Sequence, residues 1–511
     1  MEKKRLVAVL EIGSTGIRLL VAEILEHGQW QEVDRAGKPV TLGRDVFTSG
    51  KVSRDSLLIC LGVLQKYKEL LGGWGIAGED VYVIATSALR AARNRDVFVD
   101  RVHQETGFRI AIVEGIEENR LMYLAVRFAL KQYFPKIWQS NTIIIDIGGG
   151  STELMMLREG KMVSAHSLHV GTLLIDRQSR LSLGSDHVQE RYLKEIIRNT
   201  MGLLSEDMRL DEVKIFVMTG SDIRLASNII GAELNKHCRI IEREALLGFI
   251  QKIRNYTIED CVRELHIPFS AAEGFVPGLL VYTRFLEETN AAQVVVPEVS
   301  IREGLLIDLA LGVNPELQED FFSQISASAL TLGRKYHFDE AHNRLVAELC
   351  LILFDALSSI HGMNRQDRML LEVAALLHDI GMYIGGSKHH KHGQYIVANS
   401  EIFGLHQDEI AIIANVIRYH RGKPPSNADI SYIALQKEDR ILVLKMASIL
   451  RIADALDRGH SQQIRRIAVE RRGESILLRT QGSWDLSLEQ IGLDEKADMF
   501  QDVFGYKILL L

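Results

Sequence analysis

Residues Ile143–Met156 read IIIDIGGGSTELMM: an apolar run, an acidic residue, a glycine-rich turn ending in Ser151, and a second apolar run. This predicts a β-hairpin with a carboxylate at the end of its first strand and little side-chain bulk at its tip. Glycine tolerates φ > 0, and its bare backbone lets N–H groups converge on an anion such as phosphate. Val7–Leu20, VAVLEIGSTGIRLL, repeats the pattern about 135 residues earlier. A single hairpin of this kind reads most simply as a plain turn. Two of them, a domain's length apart, predict a two-lobed phosphate cleft.

Outward from the hairpins, Leu6–Leu10, Val81–Ile84, Ile110–Val113, Ile143–Ile145 and Val294–Val296 read as buried strands. Helical patterns such as Ser56–Leu70 and Glu117–Leu130 lie between them, so the chain to about residue 310 predicts α/β lobes with largely parallel sheets. From Glu316 to Leu456 the texture changes: Glu340–Leu357, Gln366–Leu377, Asp408–Arg421 and Arg440–Leu456 carry apolar residues at helical spacing. Arg465–Glu470 and Ser475–Thr480 then alternate as short strands do. The expected domains are 1–130 and 131–312 for the lobes, 313–458 for a helical domain and 459–511 for a small α+β tail. The main joint is placed at Val313-Asn314-Pro315.

The chain has 511 residues, 47% hydrophobic and 25% charged, ordinary values for a folded soluble protein of several domains. Its 60 Lys and Arg against 67 Asp and Glu give a net charge of −7, which argues against DNA as a partner and confines any polyanion to a local cleft. The four cysteines, Cys60, Cys238, Cys261 and Cys350, lack CxxC spacing and fit a reducing cytoplasm. The apolar stretch Leu6–Leu10 is too short for a signal peptide, and nothing approaches the ~18 apolar residues that span a bilayer. A cytoplasmic protein with no membrane insertion is expected.

DIGGGSTE at Asp146–Glu153, GIEENRL at Gly115–Leu121, ATSALRAARN at Ala85–Asn94, IREGLL at Ile301–Leu306, LLHDIG at Leu376–Gly381 and HHKHG at His389–Gly393 together resemble the exopolyphosphatase/guanosine pentaphosphate phosphohydrolase (Ppx/GppA) family. The resemblance covers essentially the whole chain, in family order. It implies an α/β fold of two actin/Hsp70-like (ASKHA) lobes, followed by an all-α HD-like domain and a small β-containing tail. It further implies a homodimer that releases orthophosphate from the end of polyphosphate, or the 5′ γ-phosphate from guanosine pentaphosphate.

Phosphoryl transfer to water needs a positioned base, cations for the phosphate oxygens and backbone donors around the scissile group. The resemblance makes Glu118 the catalytic base, where spacing by itself reads Glu117 and Glu118 as first-turn acids favouring the helix dipole. Asp146 and Glu153 flank the second hairpin and are expected to hold a hydrated Mg²⁺, with Glu11 of the first hairpin as a third candidate ligand. Phosphate contacts are expected from Gly13, Ser14, Thr15, Arg90, Gly148, Gly149, Gly150, Ser151 and Gly220. Arg93 and Arg95 read equally well as solvated charges.

Three stretches depart from the family pattern. The first hairpin carries Glu11 in place of Asp, one methylene longer and able to displace a metal-bound water. The loop at Met218–Asp222 puts Asp222 where a threonine is usual, a negative charge facing an incoming phosphate. The stretch before IREGLL reads Pro297-Glu298-Val299-Ser300.

In the helical domain, His342, His378-Asp379 and Asp454 have the His…His-Asp…Asp layout of HD phosphohydrolases, two imidazoles and two carboxylates suited to a second divalent metal. His389, His390, His392 and His420 could widen that site, or line a basic path with Lys388 and Lys391. The functional expectation is therefore a Mg²⁺-assisted phosphoanhydride hydrolase using Glu118. The alternatives are a catalytically weak polyphosphate or nucleotide sensor, and an HD-site phosphohydrolase that the lobes regulate.

Overall fold

The computed structural model describes residues 5–25, 29–76, 78–131, 135–175, 195, 198, 209–311, 315–480 and 485–511. The chain divides into two compact units, Met1–Asp320 and Phe321–Leu511. Of the joint expected at Val313-Asn314-Pro315, the first two residues lie outside the described ones. From Pro315 the chain is in the helix Pro315–Lys335, and the division falls inside that helix.

In the first unit, strands β1 (Arg5–Ile12), β2 (Gly16–Ile24), β3 (Trp30–Pro39), β4 (Val81–Ala85) and β5 (Ile110–Ile112) form a sheet of order β3-β2-β1-β4-β5. β6 (Thr142–Ile147), β7 (Thr152–Arg158), β8 (Lys161–Leu168), β9 (Ile215–Thr219), β10 (Ala232–Asn235), β11 (Cys238–Glu242) and β12 (Gln293–Pro297) form a second, of order β10-β11-β12-β9-β6-β7-β8. Each sheet begins with an antiparallel meander, β1-β2-β3 or β6-β7-β8, and then adds a parallel strand, β4 or β9, on the other side of its first strand. This is the repeat that the two glycine hairpins announced. Both sheets are mixed, which corrects the expectation of largely parallel ones. A turn as short as Gly13–Thr15 can only return its strand antiparallel, and a crossover long enough for parallel pairing begins only after the meander.

Alternation within β1 explains how the first sheet is covered on both faces. Ala8, Leu10 and Ile12 join a core with Cys60, Leu61 and Leu64 of the helix Arg54–Gly73, whose start is capped by the Ser53 hydroxyl. Val7 and Val9 face the opposite way, against Leu306 of the helix Ile301–Leu311. That helix packs on the helix Gly115–Leu130 so closely that a Cβ on Gly304 would strike the Leu121 backbone, and Arg120 clamps the pair by reaching Asp308 at 2.6 Å. The conspicuous Gly of IREGLL is thus a packing residue.

The second unit is helical: Glu340–Ala356, Arg365–Leu377, His389–Ala398, Gln407–Tyr419 and Lys437–Ala455 bury Val346, Leu349, Leu353, Leu371, Ala374, Ile413, Val416 and Ile449. Asn364 and Asp367 close a capping box at the second of these helices. Strands β13 (Ile467–Arg472), β14 (Ser475–Thr480) and β15 (Lys507–Leu510) and the helices Ser487–Lys496 and Asp498–Phe504 make the tail. Buried Arg451 ties the tail to the helices through its Nε bond to the Lys496 carbonyl at 3.1 Å. The four cysteines are buried free thiols. Among the described residues, no helix is long and apolar enough to cross a membrane.

Candidate active site

The two hairpins have equivalent turns. The Gly13 N–H donates to the Gly16 carbonyl and the Gly148 N–H to the Ser151 carbonyl, each at 2.9 Å. Register makes the equivalence complete: Glu11 is directly opposite Arg18 on β2, and Asp146 is directly opposite Glu153 on β7. Directly opposed residues of an antiparallel pair share a face, so each hairpin presents two charged side chains on one side.

Both tips line one cavity of about 300 Å³. Of the residues expected from sequence, Glu11, Gly13, Ser14, Thr15, Glu118, Asp146, Gly148, Gly149, Ser151, Glu153 and Gly220 face it; Arg90 and Gly150 do not. Gly150 packs under the Phe47 ring, which occupies the place a Cβ would take. The hairpin glycines are not there for positive φ either, since none of Gly13, Gly148, Gly149 and Gly150 has it. They are there for close approach: a Cβ on Gly149 would come within 2.9 Å of the Ser14 Cβ. The Gly13 and Gly148 N–H groups are engaged inside their own turns. Gly220 does need its glycine, with φ 118° and the Ile147 carbonyl oxygen and the Tyr282 hydroxyl where a Cβ would sit.

The motif GIEENR is explained residue by residue. Gly115 leaves room for the Ser167 side chain, Glu117 pairs with Arg120 at 2.7 Å, and Asn119 reaches the His166 carbonyl at 3.2 Å and Glu153 at 3.4 Å. Glu118 alone of the acidic pair turns into the cavity. It is 7% exposed, and its Oε1 accepts from Arg90 Nη1 at 2.5 Å, while the same guanidinium nitrogen donates to the Val113 carbonyl. Burial pushes the Glu118 carboxyl up to about 7 against the pull of Arg90, and the Asp146 and Glu11 charges add to the rise.

Glu153 accepts from the Ser167 hydroxyl at 3.0 Å and Asp146 from the Thr219 hydroxyl at 2.7 Å. Burial raises both carboxyls, and the Glu118 charge raises Glu153 further. Glu11 is held differently, by Arg302 at 3.2 Å and Arg18 at 3.4 Å. Asp222, in the first turn of the helix Ser221–Ile230, lines the cavity and is pushed up to about 7 by burial. Burial thus favours its neutral form and weakens the anticipated repulsion of phosphate.

Arg18, Lys38, Arg224 and Arg302 are the cations of the lining, against Glu11, Glu118, Asp146, Glu153, Asp222 and Glu273. Sequence reading missed Arg18, although its offset from Glu11 is the offset of Glu153 from Asp146. An acid-rich pocket with four carboxyls raised by burial, those of Glu118, Asp146, Glu153 and Asp222, fits a divalent cation. Among the described residues, no three carboxylate or imidazole atoms here lie within 4.8 Å of one another, so an ion would meet the carboxylates partly through its own waters, as Mg²⁺ ordinarily does.

In the helical unit, His342, His378, Asp379 and Asp454 come together. His342 lies in the first turn of its helix, capped by Asp339, and both imidazoles are fully buried. Asp454 Oδ1 stands 3.6 Å from His342 Nε2 and 3.8 Å from His378 Nε2. Asp379 Oδ1 stands 3.8 Å from His378 Nε2, 3.2 Å from His389 Nε2 and 3.8 Å from His420 Nε2. His390 and His392 contribute no atom to these groups.

Comparison with known proteins gives a consistent result. The Ppx/GppA phosphatase family matches residues 20–312, and Ppx/GppA phosphatase, domain III, matches residues 326–502. The chain is 24% identical over 496 residues to the guanosine-5'-triphosphate,3'-diphosphate pyrophosphatase of Aeromonas hydrophila subsp. hydrophila, covering 95% of this chain and 94% of the relative. It is 22% identical to the protein of that name from Pseudoalteromonas atlantica, covering 88% and 86%. Among solved structures, an exopolyphosphatase from Cytophaga hutchinsonii matches with a TM-score of 0.53 at 18% identity, over 61% of this chain and 100% of that one. The Aquifex aeolicus member of the Ppx/GppA family matches at 0.50 and 23% identity, over 61% and 99%.

Proposed function

The chain belongs to the Ppx/GppA phosphatase family, and from that premise we propose that it is a phosphohydrolase releasing orthophosphate from the end of inorganic polyphosphate, from the 5′ γ position of guanosine pentaphosphate, or from both. The observation that carries this reading is Glu118: a buried carboxylate at the wall of a cavity lined by two glycine hairpins, held by one arginine and poised by burial near neutral pH. A general base works best when its pKa lies near the working pH.

Glu118 takes a proton from a water as the water oxygen bonds to the terminal phosphorus. The bridging P–O bond breaks, and its electrons leave on the shortened chain or nucleotide. Arg90 fixes the Glu118 carboxylate through Oε1, leaving the other oxygen to meet the water; it acts as a positioning residue rather than the phosphate contact expected from sequence. Asp146 and Glu153 would hold a divalent cation, Mg²⁺ in this reading, whose charge would neutralise phosphate oxygens in a lining short of cations. Ser14, Ser151, Arg18 and Arg224 are the lining donors for the remaining oxygens. Glu11, already paired with two arginines, is left out of the metal shell.

The test is orthophosphate release by the full chain from polyphosphate and from guanosine pentaphosphate at matched Mg²⁺. Release from at least one substrate is expected; release from neither contradicts the proposal.

A further inference from the structure

We infer that Glu11 sets the affinity of the cavity for phosphate: its carboxylate holds Arg18 and Arg302, and a substrate phosphate group must displace it to engage them. This rests on the reading of the cavity as a phosphate site, and names the residue with which the substrate competes there.

The first support is how loosely Glu11 is held. Structural ion pairs of the same unit are short and two-pronged: Arg120 reaches Asp308 at 2.6 and 2.9 Å, and Arg127 reaches Asp320 at 2.8 and 2.9 Å. Glu11 meets each of its arginines through a single long contact, Arg18 Nη1 at 3.4 Å and Arg302 Nε at 3.2 Å. The one hydrogen on Arg302 Nε already goes to the Ser300 hydroxyl at 3.1 Å, so charge alone draws that nitrogen to Glu11.

The second support is what Arg302 leaves unused. Its side chain is 4% exposed and lines the cavity, yet its Nη1 and Nη2 atoms make no hydrogen bond among the described residues. Glu303, next in sequence, is taken up by Arg35 at 2.6 Å and by the Ser300 N–H at 2.8 Å. Glu11 is therefore the only carboxylate paired with Arg302 or Arg18 among the described residues. A buried guanidinium with both outer nitrogens unpartnered suits phosphate, whose oxygens accept in the same fork geometry.

The third support is position. Glu11 lines the same cavity as Glu118 and Asp146, and its charge reaches both of their carboxyls. A phosphate group that approaches Glu118 enters the field of Glu11 as well, and the two anions compete for the same guanidinium groups. While Glu11 holds them, the apparent affinity for phosphate is reduced to the fraction of molecules whose arginines are released. A charge set against the ligand in this way is a device of specificity rather than of stability.

The experiment is calorimetric titration of the full chain with imidodiphosphate, a diphosphate analogue with a P–N–P bridge, at fixed Mg²⁺. Glu11→Gln keeps the shape and removes the charge, and should tighten binding about 10-fold. Glu273→Gln, which removes a cavity acid paired with Arg44 instead, should leave the affinity within about 2-fold. Unchanged or weaker binding in Glu11→Gln overturns the inference, because a carboxylate that merely ordered the arginines would be missed by the ligand. Equal tightening in Glu273→Gln, or no binding by any of these proteins, overturns it as well. Should Glu11→Gln fail to melt cooperatively, Glu11→Asp takes its place: its shorter carboxylate draws back from Arg302, and the same two results decide. No turnover enters this readout. Tighter binding without phosphate release would uphold the inference and overturn the proposed activity, and release with unchanged binding would do the reverse.

Discussion

Asp146 and Glu153 are directly opposed across the second glycine hairpin, at the two positions where the first hairpin sets Glu11 against Arg18. The same backbone device thus carries an ion pair in one lobe and a pair of acids in the other. An ion pair neutralises itself, whereas two buried acids beside a third, Glu118, require either protons or a cation. Each of these three carboxyls is raised by burial.

Stability should therefore fall as pH rises. An acid whose folded pKa lies above its unfolded value binds protons on folding, and the benefit is lost as pH climbs from the unfolded value through the folded one. For Glu118 the window runs from about 4.5 to about 7 and is worth up to about 3 kcal/mol. The melting temperature without divalent cations should drop between pH 5 and pH 8. Added Mg²⁺ should restore it at pH 8 and do little at pH 5, and Glu153→Gln should blunt both effects. A Mg²⁺ effect of equal size at both pH values would contradict the cation's place among these acids.

Gly150→Ala tests the role of the glycine that turned out to face a ring. The new methyl group meets Phe47, and overpacking of this kind costs about 1–3 kcal/mol. Chemical denaturation should register that loss, and a Phe47→Leu change on the same chain should recover part of it. If the loss is instead in substrate affinity at unchanged stability, Gly150 contacts phosphate after all.

Asp222 should act on substrate affinity. Its carboxyl is neutral below about 7 and charged above, so the KM for a polyanionic substrate should rise as pH passes 7, while an Asp222→Thr variant stays flat. Steady-state kinetics from pH 6 to pH 8.5 would separate this rise in KM from any change in kcat.

Much of this could be read from the sequence because it is local. The strand-turn-strand pattern of Ile143–Met156 fixed a hairpin, its recurrence at Val7–Leu20 fixed the second lobe, and helical periodicity located the helices that hold His342, His378 and Asp454. What stayed hidden depends on which elements meet. Nothing near Gly150 in the chain announces Phe47, and nothing near Glu118 announces that Arg90 will bind it, because those contacts follow from the packing of separate elements. Mixed sheets were missed because apolar runs look alike whether their neighbours run parallel or antiparallel. Arg18 was legible in principle, from hairpin register.

The proposed chemistry depends on Glu118 as the base. Its most direct test is kcat for orthophosphate release by Glu118→Gln, on the substrate the wild type turns over, with the melting curve recorded alongside. The glutamine keeps the shape and loses the basicity, so a fall of about 10²–10⁴-fold with KM and fold retained is expected. In the wild type, kcat/KM should climb through an apparent pKa near 7. Turnover within a few-fold of wild type in a folded Glu118→Gln protein would rule Glu118 out as the base.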